Sequence, residues 1–176
     1  MWITWSRIGL VPAIVVLMRP NSLNFNLCAA ALFILASVTD YYDGYFARKY
    51  QAISNMGKFM DPIADKILVT SILTMLIPTK HIDPIMVIVI LARDTFISGI
   101  RSVAAADGTI IDAKPTGKWK TALQMVAIPA VMIGETWLGV PFARIGNWVL
   151  WLSVILSLTS GAQYYLAYLK GAKTSR

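Results

Sequence analysis

Six apolar stretches, separated by short polar breaks, organise the chain. They run from Trp2 to Met18, Leu23 to Tyr45, Gly57 to Ile77, Pro84 to Ala105, Gly117 to Trp137 and Pro141 to Lys170. A helix needs roughly 20 apolar residues to cross a bilayer. The pattern therefore predicts an all-α integral membrane fold of six transmembrane helices, one domain over residues 1–176. The first stretch is short, and the last is long enough to tilt or to extend beyond the bilayer. The breaks at Arg19 to Ser22, Pro78 to Asp83, Asp107 to Thr116 and Leu138 to Pro141 hold proline, glycine, asparagine and aspartate, the residues of turns. Trp2 to Met18 carries Arg7 and has no small-residue cleavage site followed by a polar start, so it is expected to be the first membrane helix rather than a cleavable signal.

Composition agrees with the pattern. Hydrophobic residues make up 57% of the chain and charged residues 14%, against about 25% charged in an ordinary soluble domain. A net charge of +7 would elsewhere suggest nucleic acid. Here the basic residues sit at the ends of apolar segments, which points to anionic headgroups and phosphate-bearing substrates in a lipid bilayer, with no nucleic-acid partner. The single cysteine, Cys28, excludes a disulfide framework and a cysteine-rich metal site, and is expected to be a small buried residue.

Charge distribution sets the orientation. Arg48, Lys49, Lys58, Lys66, Arg101, Lys114, Lys118, Lys120, Lys170, Lys173 and Arg176 lie at one set of helix ends. Arg19, Lys80 and Arg144 lie at the other. Eleven against three places the first side in the cytoplasm, with both termini. Trp2, Trp5, Trp119, Trp137, Tyr164, Tyr165 and Tyr168 fall near predicted helix ends and suit an interfacial aromatic belt.

Four of the nine acidic residues lie within 26 positions, at the predicted cytoplasmic ends of the second and third helices. Asp40 and Asp43 are three apart, and Asp61 and Asp65 are four apart, so each pair shares a helix face. Four carboxylates brought together need cations. An all-oxygen set suits hard divalent ions, Mg2+ or Mn2+. Two such ions about 4 Å apart are a common arrangement for phosphoryl transfer. Gly44, which costs a helix about 1 kcal/mol, and Gly57 suggest the close approach of another group. Arg48 lies four residues beyond Gly44, able to reach a diphosphate. Each residue also has a structural alternative. Asp61 before Pro62 could cap a helix, Asp43 could pair with Arg48 or Lys49, and the glycines could serve helix packing. A cation transporter would spread acidic residues through the membrane depth, whereas these four sit at one face.

The run Asp40-Tyr-Tyr-Asp43-Gly44-Tyr-Phe-Ala47-Arg48, then Gly57, Asp61 and Asp65 at fixed spacing, resembles the signature of the CDP-alcohol phosphatidyltransferase family. The six-helix hydropathy pattern is similar too. The resemblance implies that Asp40, Asp43, Asp61 and Asp65 hold two metal ions, with Asp65 as the general base. It implies that Gly44, Ala47 and Gly57 leave room for a cytidine nucleotide and that Arg48 holds its diphosphate. An alcohol would attack the lipid-bearing phosphorus of a CDP-lipid and release CMP, in a polar cavity facing the cytoplasm, on the inner face of the cell membrane. A homodimer is implied by the resemblance alone.

The fourth stretch contains Arg93, Asp94, Ser98 and Arg101, and the fifth opens Gly117-Lys118-Trp119-Lys120-Thr121. Arginines in a membrane segment need anionic partners, and this set would suit an acceptor that itself carries a phosphate. Arg93 could instead pair structurally with Asp94, and the lysines could simply be positive-inside residues. These stretches, with Thr4 and Arg7, are similar to the phosphatidylglycerophosphate synthases. That similarity implies CDP-diacylglycerol as donor and glycerol 3-phosphate as acceptor, with Arg93, Arg101, Lys118, Lys120, Thr4 and Arg7 on the acceptor side. Inositol phosphate, serine or phosphatidylglycerol are the alternative acceptors. Asp94 departs from the pattern, which usually carries glutamate there, and the asparagine-proline element before the first helix is missing. His81 reads as a loop residue, and Asp83, Asp107 and Asp112 as turn or cap residues; Glu135 has no assigned role.

Overall fold

Each apolar stretch becomes a helix, and the breaks at Arg19 to Ser22, Pro78 to Asp83 and Leu138 to Pro141 become turns. The computed structural model describes the backbone of residues 2–49, 55–106, 115–134 and 136–174, and the side chains within them except at 2–6, 41, 43–48, 55–62, 105–106, 115–116, 118 and 168–174. Six helices are described: α1 (Trp2–Met18), α2 (Leu23–Lys49), α3 (Asn55–Leu76), α4 (Pro84–Ala106), α5 (Pro115–Ile133) and α6 (Phe142–Thr174). No strand is present among the described residues.

Local chemistry sets the helix ends. Asn21 takes a left-handed backbone (φ 46°) between α1 and α2. α3 tightens into a 3-10 turn at Ile77–Thr79 and stops at left-handed Lys80. Asp83 caps α4: its Oδ1 accepts from the Ile85 N–H at 2.8 Å, with proline at the first helical position. α5 ends at Ile133, four residues before the expected Trp137, because Gly134 turns the chain with φ 101°. Trp137 and Val140 then exchange backbone hydrogen bonds across Leu138 and Gly139, both at positive φ, in a tight turn that feeds α6. α2 runs on to Lys49, beyond the expected Tyr45. α3 begins six residues before Asp61, so Asp61 stands inside a helix and the helix-cap alternative for it does not hold.

α5 and α6 form the most extensive helix pair, α1 packs against both α2 and α3, α2 packs against α5, and α4 packs against α6. Gly146 permits the α5–α6 contact: a Cβ there would stand 2.9 Å from the Ala127 carbonyl oxygen and 2.7 Å from Val131 Cγ2. The apolar core occupies one half of the bundle. It gathers Ile14 of α1, Phe33 of α2, Leu73 and Leu76 of α3, Met86 and Ile90 of α4, Met132 of α5 and Leu150 of α6. The other half holds a cavity into which charged side chains open.

The outer surface inverts the usual pattern. Trp148, Val126, Ile85 and Ile88 are each more than 60% exposed, while Arg7, Lys120, Gln124, Ser153, Ser157 and Ser160 are buried. Two helical stretches among the described residues, Leu23–Asp40 and Phe142–Ala167, are long and apolar enough to cross a membrane; Arg7–Met18 and Trp119–Ile133 are shorter apolar helices. Both features suit a chain that sits in a membrane. Cys28 is a correction: it is exposed on α2, not buried. A small apolar residue on an outward apolar face needs no protein core around it when that face meets lipid.

Candidate active site

The halves of the helices away from the core splay around a cavity of about 1210 Å3. The second half of α2 contributes Ser37 and Asp40, and the first half of α3 contributes Asp65 and Lys66. Arg93, Asp94, Ser98 and Arg101 come from α4, Lys120 and Thr121 from α5, and Ser160 and Tyr164 from α6. The walls differ in charge: α2 and α3 bring carboxylates, and α4 and α5 bring most of the cations.

On the acidic side, Arg7 of α1 reaches across to Asp40. Its Nη2 stands 2.5 Å from Asp40 Oδ1, with the arginine side chain 3% exposed and the aspartate 37%. A guanidinium this deep is tolerated only because it is paired. The pairing follows from packing, since α1 lies against both carboxylate helices. Asp40 and Asp65 open into the same cavity from different helices. α2 is helical through Asp43 and α3 through Asp61, so the three- and four-residue spacings are helical spacings. The side chains of Asp43 and Asp61 lie outside the described residues. Among those described, no three His, Cys, Asp or Glu side chains gather into one group. The donors that do face the cavity are carboxylate oxygens on two helices, Asp40 of α2 and Asp65 of α3, and this set fits a hard divalent cation.

On the basic side, Asp94 is the hub. Lys120 Nζ lies 2.5 Å from both of its oxygens, and Arg93 Nη1 donates to Oδ1 at 3.0 Å. Arg93 is also fastened to α6: Nε donates to the Ser157 carbonyl at 2.9 Å, and Nη2 to Ser160 Oγ at 2.6 Å. Gly161 gives this seat room: a Cβ there would stand 3.2 Å from Arg93 Nε, a tight contact that a small shift of the guanidinium relieves. One carboxylate thus compensates two cations and joins α4, α5 and α6. Arg101 lies over the ring of Tyr164, 4.9 Å from its centre, a cation–π contact. Lys66 Nζ donates to Ser98 Oγ, tying α3 to α4.

The expected acceptor-side residues Arg93, Arg101 and Lys120 all line this cavity, and the structural pairing of Arg93 with Asp94 is present as well. Arg7 stands at Asp40, on the acidic side. The side chains of Thr4, Gly44, Ala47, Arg48, Gly57 and Lys118 lie outside the described residues. Tyr164 corrects the expected aromatic belt: it is buried beneath Arg101 at the cavity, whereas Tyr165 is exposed. The helical offset alone explains this, since adjacent residues point about 100° apart. Lys66, which the sequence places only by its charge, is a site residue that sequence reasoning missed, and Asp94, expected at most as a partner of Arg93, also holds Lys120. An ionisable residue inside an apolar helix, one position after Asp65, was the available signal for Lys66.

The family model for CDP-alcohol phosphatidyltransferase matches residues 1–159. The chain is 36% identical to a CDP-diacylglycerol–glycerol-3-phosphate 3-phosphatidyltransferase of Rickettsia typhi, across 94% of each chain. It is also 36% identical to the enzyme of the same name from Bacillus subtilis, across 98% of this chain and 96% of that one. With two carboxylate helices and a basic wall enclosing one cavity, the chain belongs to the CDP-alcohol phosphatidyltransferase family and is an enzyme of that class.

Proposed function

We propose that this enzyme transfers the phosphatidyl group of CDP-diacylglycerol to glycerol 3-phosphate, giving phosphatidylglycerol phosphate and CMP. The observation that carries the reading is the pairing of opposite walls. Carboxylates suited to divalent ions face a cluster of cations suited to a phosphate-bearing alcohol, inside one cavity. Relatives that bear this activity in their names match nearly the whole chain.

Asp40, Asp43, Asp61 and Asp65 hold the divalent ions, two of Mg2+ or Mn2+, which when bound neutralise the diphosphate and the attacking and leaving oxygens. Asp65 accepts the proton of the acceptor hydroxyl as that oxygen bonds to the lipid-bearing phosphorus. The bond from this phosphorus to the CMP oxygen breaks, and CMP leaves. Gly44, Ala47 and Gly57 leave room for the cytidine nucleotide, and Arg48 holds its diphosphate. Arg101 and Lys118 meet the acceptor, with Thr4 at the side nearest α1, while Arg7 holds Asp40 in place. Arg93 and Lys120 form the acceptor wall, fixed through Asp94. The chain crosses the inner membrane six times as a homodimer, with the cavity and both termini on the cytoplasmic side. Purified protein supplied with CDP-diacylglycerol tests the acceptor directly. CMP release is expected with glycerol 3-phosphate; release only with inositol phosphate, serine or phosphatidylglycerol would overturn the assignment.

A further inference from the structure

The cations at the cavity are engaged in two different ways. Arg93 and Lys120 are both bound to Asp94, and Arg93 is further fixed to Ser157 and Ser160 of α6. An incoming anion would compete with a carboxylate already in place for either of them. Lys66 and Arg101 have no carboxylate partner among the described residues. Lys66 rests on the hydroxyl of Ser98, and Arg101 on the ring of Tyr164. Neutral partners leave most of a cation's charge available to a ligand, because neither a hydroxyl nor a ring carries a compensating unit charge.

These two cations converge on one place. Ser98 and Arg101 are three residues apart on α4, hence on one face, and both line the cavity. Lys66 reaches that face from α3 through Ser98. Lys66 is also the residue after Asp65, and both line the cavity. Adjacent helical residues point about 100° apart, so Lys66 and Asp65 reach different parts of the cavity they share. A short alcohol phosphate with its phosphate at Lys66 and its hydroxyl toward Asp65 lies within that cavity.

We propose that Lys66 is an acceptor-binding residue, and that the acceptor phosphate is received between Lys66 and Arg101 at Ser98. This rests on the reading above that the acceptor is a phosphate-bearing alcohol.

The test uses the full chain in detergent with CDP-diacylglycerol and glycerol 3-phosphate. Lys66→Gln keeps a hydrogen-bonding end near Ser98 and removes the charge. Its KM for glycerol 3-phosphate is expected to rise about tenfold or more, the loss typical of a charged hydrogen bond, with KM for CDP-diacylglycerol little changed. Lys66→Arg should recover most of the loss. An equal rise in both KM values, or a fall in kcat with acceptor KM unchanged, would assign Lys66 to the donor or to Asp65 and overturn the proposal. Arg101 is exposed, so Arg101→Gln supplies the same test if Lys66→Gln does not fold: an acceptor-only rise supports the proposal and an unchanged acceptor KM overturns it. If wild-type protein releases no CMP with glycerol 3-phosphate, the acceptor assignment fails by itself. Calorimetric binding of inorganic phosphate to wild type and to Lys66→Gln then decides the site, with weaker binding expected in the variant and equal binding contradicting it.

Discussion

The two walls of the cavity are built on opposite principles. On the α2–α3 side, Asp40 and Asp65 open into the cavity, and Arg7 comes from a third helix to compensate Asp40. On the α4–α6 side, Asp94 compensates Arg93 and Lys120 and ties three helices together. The acidic wall gathers like charges that need added cations. The basic wall sets one carboxylate, Asp94, against Arg93, Arg101 and Lys120 and so keeps a positive excess; Arg101, and Lys66 reaching over from α3, rest on neutral partners. On the proposed reading chemistry and recognition are separated: the first wall runs the transfer, and the second selects the alcohol.

Three substitutions break that comparison to different degrees. Asp65→Asn should have the largest effect. Losing the general base is expected to lower kcat about 10²- to 10⁴-fold, while CDP-lipid and metal binding persist. Single-turnover CMP release, set beside equilibrium binding of the lipid, checks both halves; loss of metal binding would make Asp65 chiefly a ligand. Asp94→Ala should act on stability first. It strands two cations that share one carboxylate, and breaking a buried pair costs about 3 kcal/mol or more. Thermal unfolding in detergent should fall, and the added change Lys120→Met should restore part of the loss. An unchanged melting temperature would mean that the hub does not hold the wall. Gly161→Ala should have the smallest effect, since its Cβ needs Arg93 to move by only a few tenths of an ångström. The overpacking cost of about 1 kcal/mol is offset by a similar gain from replacing a helical glycine, so little change in stability and a two- to threefold rise in acceptor KM are expected, with donor KM unchanged.

Much of the architecture was legible from the hydrophobic pattern, because six apolar runs bounded by turn residues leave few alternatives to six helices. The pairs Asp40/Asp43 and Asp61/Asp65 were legible for a similar reason, since helical spacing places each pair on one face before any tertiary contact is known. The basic wall was harder to read. Its organisation depends on Asp94 meeting Lys120, 26 positions away, and on Arg93 meeting Ser160, 67 positions away, and no local pattern encodes such contacts. Lys66 reads in the sequence only as a basic residue at one set of helix ends, yet the structure turns it into the cavity beside the expected Lys120. Tyr164 and Tyr165 were indistinguishable by sequence, and a single helical step separates a buried ring under Arg101 from an exposed one. Cys28 was misjudged because burial was equated with apolar character, an equation that lipid-facing helices do not obey.

The claim that the basic wall selects a phosphate-bearing alcohol meets its most direct test in one paired assay. CMP release from CDP-diacylglycerol is measured with glycerol 3-phosphate and with glycerol, which differ only in the phosphate. The account predicts kcat/KM at least about 100-fold higher for glycerol 3-phosphate, the scale of two charged hydrogen bonds. Equal values for the two alcohols would contradict it.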